Sequence, residues 1–176
     1  MRTIWIVLGI LLTAAGTGQG PADNSPSLEV TTKFIQDKVN AVGPLNYSIS
    51  FHNTADGKDW VNRFNDEITR VAANPESCRV DYHERFVVDG NLRFDSDYSF
   101  DLKQVDTVLV LTVEEDLARH GGQPTWQRKS DRPLWSLWVG SGNNRASSIY
   151  FADEDTASLV AKAVRHAADL CGANKY

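Results

Sequence analysis

No stretch of this 176-residue chain reaches the roughly 20 consecutive apolar residues that a membrane-spanning helix requires. The longest apolar run, residues 4–15, is about a dozen residues long and follows the positive start Met1-Arg2-Thr3. It ends in the small residues Ala14, Ala15, Gly16 and Thr17. That layout reads as a secretory signal over residues 1–20, and it places the mature chain in the periplasm or outside the cell. Cysteine is lacking near the cleavage region, which argues against a lipid-anchored export signal. No stable membrane anchor is therefore expected once the signal is removed.

Positive charge is also in deficit. Without Arg2 of the leader, 17 basic residues stand against 23 acidic ones, a balance of −6. A mildly acidic chain is a poor binder of nucleic acid or of an anionic membrane face. Cysteine is scarce: Cys78 and Cys171 are the whole complement. In an exported chain two cysteines suggest one bridge, Cys78–Cys171, with two buried thiols or a metal pair as the alternatives. Internal repeats and low-complexity tracts are lacking as well.

Catalytic signatures are missing in the same way. Gly140-Ser141-Gly142 lacks the spacing of a nucleophile elbow and lies between strands, where an elbow joins a strand to a helix. No Gly-rich loop opens a helix to hold phosphate. The 23 carboxylates show no isolated pair in an apolar setting, so no acid and base are assigned. His52, His83, His120 and His166 form no paired ligand spacing; His52 and His83, on wet strand faces, are the one pair placed to approach each other. No cofactor and no metal are expected. Asp95, Asp97 and Asp101 have calcium-loop spacing, but Phe100 and Asp106 fill the positions that need Gly and Glu, so they read as the solvated face of a strand. Asn46-Tyr47-Ser48 matches a glycosylation sequon, relevant only to a eukaryotic secretory route.

What is present begins after a flexible leader, residues 21–26. A helix starts at a Ser cap, Ser25 or Ser27, and runs to Val42, with Leu28, Thr31, Ile35, Val39 and Val42 as its buried stripe and Gly43-Pro44 as its stop. Leu45, Tyr47, Ile49 and Phe51 then alternate with polar residues as a strand. Residues 60–72 admit two readings. Trp60, Phe64, Ile68 and Val71 fit a helix, whereas the turn Asn74-Pro75 and the alternating segment 78–88 favour a hairpin strand, which is preferred. In that segment Val80, Tyr82, Phe86 and Val88 point inward. Asp89-Gly90 turns the chain into a strand through Leu102; residues 107–113, 134–139 and 147–151 are further strands, and residues 114–133 form a long polar connection. The last helix is capped by Asp153, carries an apolar stripe of Ala157, Val160, Ala161, Val164, Ala167, Ala168 and Cys171, and stops at Gly172.

About seven mostly antiparallel strands between an N-terminal and a C-terminal helix make one α+β domain over residues 27–176. The segment Ile149-Tyr150-Phe151-Ala152-Asp153-Glu154-Asp155-Thr156-Ala157 with the helix through Cys171, and the opening helix over residues 28–40, resemble the two ends of exported bacterial domains of unknown role with the pleckstrin-homology-like superfold. The resemblance is strongest at these ends and implies a bent β-barrel plugged by its terminal helix. It does not carry over phosphoinositide binding, since the loop after the first strand, residues 53–59, holds two acids against one Lys.

One aromatic and basic cluster remains: Trp126, Arg128, Lys129, Arg132 and Trp135, in and beside the long connection. Trp and Arg are the usual anchors of binding surfaces. These residues are the expected site of a non-catalytic binding domain that takes a protein or peptide. A carrier of a small apolar ligand, with Tyr47, Phe51, Phe86 and Phe94 lining a cavity between barrel and helix, is the alternative; an enzyme ranks third.

Overall fold

The computed structural model describes residues 25–119, 125–142 and 145–173. The expected signal peptide, residues 21–24 of the leader, and His120 lie outside them. Among the described residues there are three helices and eight strands, so the α+β class holds. Four strands form a meander: β1 (Leu45–Asn53), β2 (Asp59–Asn74), β3 (Arg79–Val88) and β4 (Asn91–Asp101). A single 3-10 turn leads into β5 (Val105–Thr112), followed by α2 (Val113–Arg119), β6 (Trp126–Ser130), β7 (Trp135–Ser141), β8 (Arg145–Phe151) and the closing helix α3 (Glu154–Leu170). The opening helix α1 spans Leu28–Asn40 and is capped by Ser27, whose side chain accepts from the Val30 N–H.

The strands do not close into a barrel. They form a five-stranded antiparallel sheet, ordered β4-β3-β2-β1-β6, and a three-stranded one, ordered β5-β7-β8. The reason is a change of partner. β5 leaves β4 and pairs with β7, while β6 pairs with the free edge of β1, from Ile49 opposite Ser130 to Asn53 opposite Trp126. Strands β4, β6, β5 and β8 therefore end their sheets. The expected polar connection at 114–133 supplies α2 and β6, which raises the strand number from about seven to eight.

Residues 60–72 are a strand, within β2. The helical pattern there has a specific origin. Trp60, Phe64 and Ile68 fall in step with a period of two as well as of four, and the register shifts between Thr69 and Ala72. Arg70 adopts a φ of 53° at this bulge, so Val71 returns to the buried face three residues after Ile68. The bulge takes the backbone of Val71 out of the ladder, and Asn40 of α1 satisfies both of its groups. The Val71 N–H donates to Asn40 Oδ1 at 3.2 Å and Asn40 Nδ2 donates to the Val71 carbonyl at 3.3 Å. The Ala73 N–H donates to Gln36 Oε1, so the same helix face is pinned twice.

Helix α3 packs its small residues inward. Ala157, Val160, Ala161, Val164, Ala167 and Ala168 are all buried, and they join Ile35 and Val39 of α1 and Leu137, Val139, Ile149 and Phe151 of the smaller sheet in one core. The Asp153 carboxylate accepts from the Thr156 N–H at 2.7 Å, and that bond holds its pKa below the ordinary value. Cys78, ahead of β3, and Cys171, at the end of α3, form the disulfide expected between them, with Cα atoms 5.9 Å apart. The alternatives of free thiols and a metal pair fall away. A second core lies at the other end of the larger sheet, built from Leu45, Tyr47, Ile49, Phe51, Val113 and Leu134.

Candidate functional site

The inner face of the larger sheet, beyond the cover of the helices, is lined with aromatic rings. Alternation along each strand puts Tyr47 and Phe51 of β1, Trp60 and Phe64 of β2, Phe86 and Tyr82 of β3, and Phe94 and Tyr98 of β4 on this face. They stack across strands: Phe51 on Trp60 at 5.3 Å, Tyr47 on Phe64 at 5.0 Å, Phe86 on Phe94 at 4.9 Å and Tyr82 on Tyr98 at 5.7 Å between centroids. Tyr47, Phe51, Phe86 and Phe94, named above as a cavity lining, thus have ring faces in contact with other rings. Two places in this row carry charge, one at the β6 edge and one on strands β2 and β3.

At the β6 edge, Trp126 meets Trp60 edge to face at 5.4 Å and Phe51 at 6.5 Å. Arg128, directly opposite Phe51, lies over the Trp126 ring at 5.8 Å and donates to the Trp126 carbonyl at 3.2 Å. Lys129 falls on the other face of β6 and is exposed. An open groove of about 560 Å³ runs along this end of the sheet, lined among others by Phe51, His52, Asp59, Trp60, Arg128 and Lys129. His52 Nδ1 and Asp59 pair at 2.7 Å across its rim.

The five residues expected as one cluster are not together. Trp126 and Arg128 share a contact, and Arg128 and Lys129 both line the groove. Arg132 lies past β6, and its charge acts on Tyr47. Trp135 sits on β7 and packs against the helix-covered core. Adjacency in sequence misled here because β6 and β7 belong to different sheets. The two histidines placed to approach each other do not meet either. Their partners on β2, Asp59 for His52 and Thr69 for His83, are ten residues apart. His83 instead engages Asp95 and Asp97, and Asp101 accepts from the Lys103 N–H, so the acidic face of β4 is a solvated strand face as expected. The His83 hydrogen bond holds Asp97 below the ordinary carboxyl range. Among the described residues no group of His, Cys, Asp or Glu is arranged to hold a metal ion.

Toward the β4 edge the inner face contains what the sequence reading did not find. Asp66 lies opposite Phe86, and Glu84 lies opposite Ile68 on one side and Ser96 on the other. Asp66 is 3% exposed and Glu84 9%, with Oδ1 of Asp66 buried without a hydrogen-bond partner. Burial pushes the Asp66 carboxyl up to about 7. Burial, and then the charge of Asp66, push Glu84 up to about 8. A third acid, Asp116 of α2, is fully buried nearby, but it is satisfied: Tyr150 donates to it at 2.7 Å and Ser148 at 3.1 Å. Burial also raises the hydroxyl pKa values of Tyr47, Tyr82 and Tyr150. The signal for Glu84 was present, since it occupies the gap in the inward series Val80, Tyr82, Phe86, Val88. For Asp66 the signal was its even step from Phe64 to Ile68.

Comparison of the chain with protein families, with curated proteins and with solved structures returns no match.

Proposed function

We propose that this chain is an exported, non-catalytic binding domain that takes a protein or peptide partner at the β6 edge of its larger sheet. The observation that carries this reading is the contact of Trp126 with Trp60, Phe51 and Arg128, all three of which also line the open groove at this edge together with Lys129. Half-buried aromatic rings with a guanidinium over them are the residues that dominate binding energy at protein surfaces. The Cys78–Cys171 bridge suits an oxidising compartment, in keeping with the leader. A meander of four strands, a second sheet and a terminal helix against both is also consistent with a pleckstrin-homology-like ancestry. The loop between β1 and β2 keeps its acidic character, with Lys58 paired to Asp56, so a phosphoinositide is not the partner proposed.

Affinity capture from the exported fraction tests the site. The wild-type chain is expected to retain a specific partner that a Trp126→Ala, Arg128→Ala double variant loses by at least about tenfold. Identical catches from the two proteins remove the β6 edge as the binding surface.

A further inference from the structure

β6 is the last strand of its sheet, and half of its backbone groups face away from β1. The Thr54 N–H donates to the Thr125 carbonyl and the Asp131 N–H to the Ser48 carbonyl. Residues 125, 127, 129 and 131 therefore turn their backbone toward β1, and residues 126, 128 and 130 turn theirs outward. The Ser130 N–H follows this direction, since it donates at 2.7 Å to Oε1 of Glu114 at the start of α2. A carboxylate thus closes one end of the edge. Ahead of it, the N–H and carbonyl of Arg128 and the N–H of Trp126 meet no partner strand among the described residues. An edge of this kind is a template for strand addition.

The side chains beside these open groups are positive. Lys129 is exposed on the outer face, Arg128 is half-buried on the inner one, and neither is in an ion pair among the described residues. In a chain with more acids than bases, two adjacent cations without a counter-charge complement negative charge brought from outside. β6 of a second copy does not supply it. Antiparallel pairing centred on Arg128 would set that residue opposite itself, and like charges directly opposite destabilise a sheet. β4, the strand at the other end of the sheet, is acidic, but Asp95 and Asp97 already engage His83, and Asp101 accepts from the Lys103 N–H.

Taking the β6 edge as the binding surface, we propose that its partner is a short, acidic, extended segment that adds as a strand beside β6. The residue opposite Arg128 exchanges backbone hydrogen bonds with it and places an apolar side chain on the inner face, beside Trp126. Its two neighbours fall on the outer face, opposite Gln127 and Lys129, at the border of the groove. Directly opposed side chains there stand about 5 Å apart at Cβ, within reach of a carboxylate–lysine pair. Glu114 occupies the next outward N–H, at Ser130, so the added strand is short.

The test uses the mature chain and three end-capped, fluorescent five-residue peptides. These are Val-Glu-Val-Glu-Val, Val-Gln-Val-Gln-Val, and the first with its central amide N-methylated. Fluorescence anisotropy at low salt is expected to show the Glu peptide binding about tenfold more tightly than the Gln peptide, a difference that high salt removes. N-methylation should weaken binding by at least about tenfold, because it blocks the bond to the Arg128 carbonyl. Lys129→Glu, at an exposed position, should reverse the preference in favour of Val-Lys-Val-Lys-Val, whereas Lys162→Glu on α3 should leave it in place. Equal affinity for the Glu and Gln peptides, no binding of either, or undiminished binding of the N-methylated peptide overturns the acidic strand. So does sedimentation that shows the chain associating with itself and losing that association on Lys129→Glu. If any of these results appears while the Trp126→Ala, Arg128→Ala variant still loses its captured partner, the β6 edge stands and only the acidic strand falls. If the capture is unaffected as well, both fall.

Discussion

The two cores of this domain are built on different terms. Where α1 and α3 cover the sheets, the packing is aliphatic and small: Ile35, Val39, Ala157, Val160, Ala161 and Val164 interlock, and Cys78–Cys171 ties helix to strand. Backbone groups freed by the β2 bulge find partners on Asn40 and Gln36. At the other end the inner face holds stacked aromatic rings and the acids Asp66 and Glu84, one of them with an orphaned oxygen. Burying a carboxyl without a partner costs stability, and Asp66 Oδ1 is such a group. The helix-covered core holds the chain together, and the aromatic face carries a buried acid that the fold leaves unsatisfied. The comparison can be broken from either side.

The largest effect should come from the bridge. Replacing Cys78 and Cys171 by serine opens a loop of 93 residues and should lower unfolding free energy by about 4–5 kcal/mol on the chain-entropy model. Chemical denaturation of the variant against wild type measures it, and a loss below about 1 kcal/mol means that helix packing, not the cross-link, secures α3.

Next in size is the small-residue stripe. Ala161 is 1% exposed in the contact layer, so Ala161→Leu adds methyl groups where the helix has no room and should cost about 1–3 kcal/mol. The same change at exposed Lys162, also on α3, should cost almost nothing. Equal responses would mean that α3 does not sit tightly on its neighbours.

The smallest effect sharpens the contrast most. Asp66 and Glu84 titrate at about 7 and about 8 in the folded chain against ordinary values of 3.8 and 4.5, so the folded state holds more protons than the unfolded one between these limits. Stability from this source is full below pH 4 and is lost as pH rises through 7 and 8. The melting temperature should therefore fall from pH 5 to pH 8.5. Asp66→Asn should flatten that fall and raise stability at pH 8.5 by about 1–2 kcal/mol relative to wild type. A wild-type melting temperature that climbs over this range would show that the acids are not held neutral.

Much of the architecture was legible in the chain because it rests on local rules. Ser27 and Asp153 mark helix starts, Gly43 and Gly172 mark stops, and the period of the stripe in α3 names the buried residues before any coordinates are seen. Strand β1 shows its two faces by simple alternation. The site was far less legible. Trp126 and Arg128 were singled out by residue type and lie in contact, whereas Trp135 was grouped with them only through adjacency in sequence. Asp66 and Glu84 were passed over as two acids among 23, since nothing local separates a buried carboxyl from a solvated one.

Helix ends, strand faces and the small-residue stripe follow from the sequence alone, because capping, alternation and helical period act within a few residues. Tertiary structure decided the rest: that β5 pairs with β7 and β6 with β1, leaving the sheets open, and that a bulge at Arg70 turns a helical pattern into a strand. It also decided that Asp66 and Glu84 share one aromatic face. Their burial depends on which strands become neighbours, and strand pairing is a long-range choice settled by the packing of the whole domain.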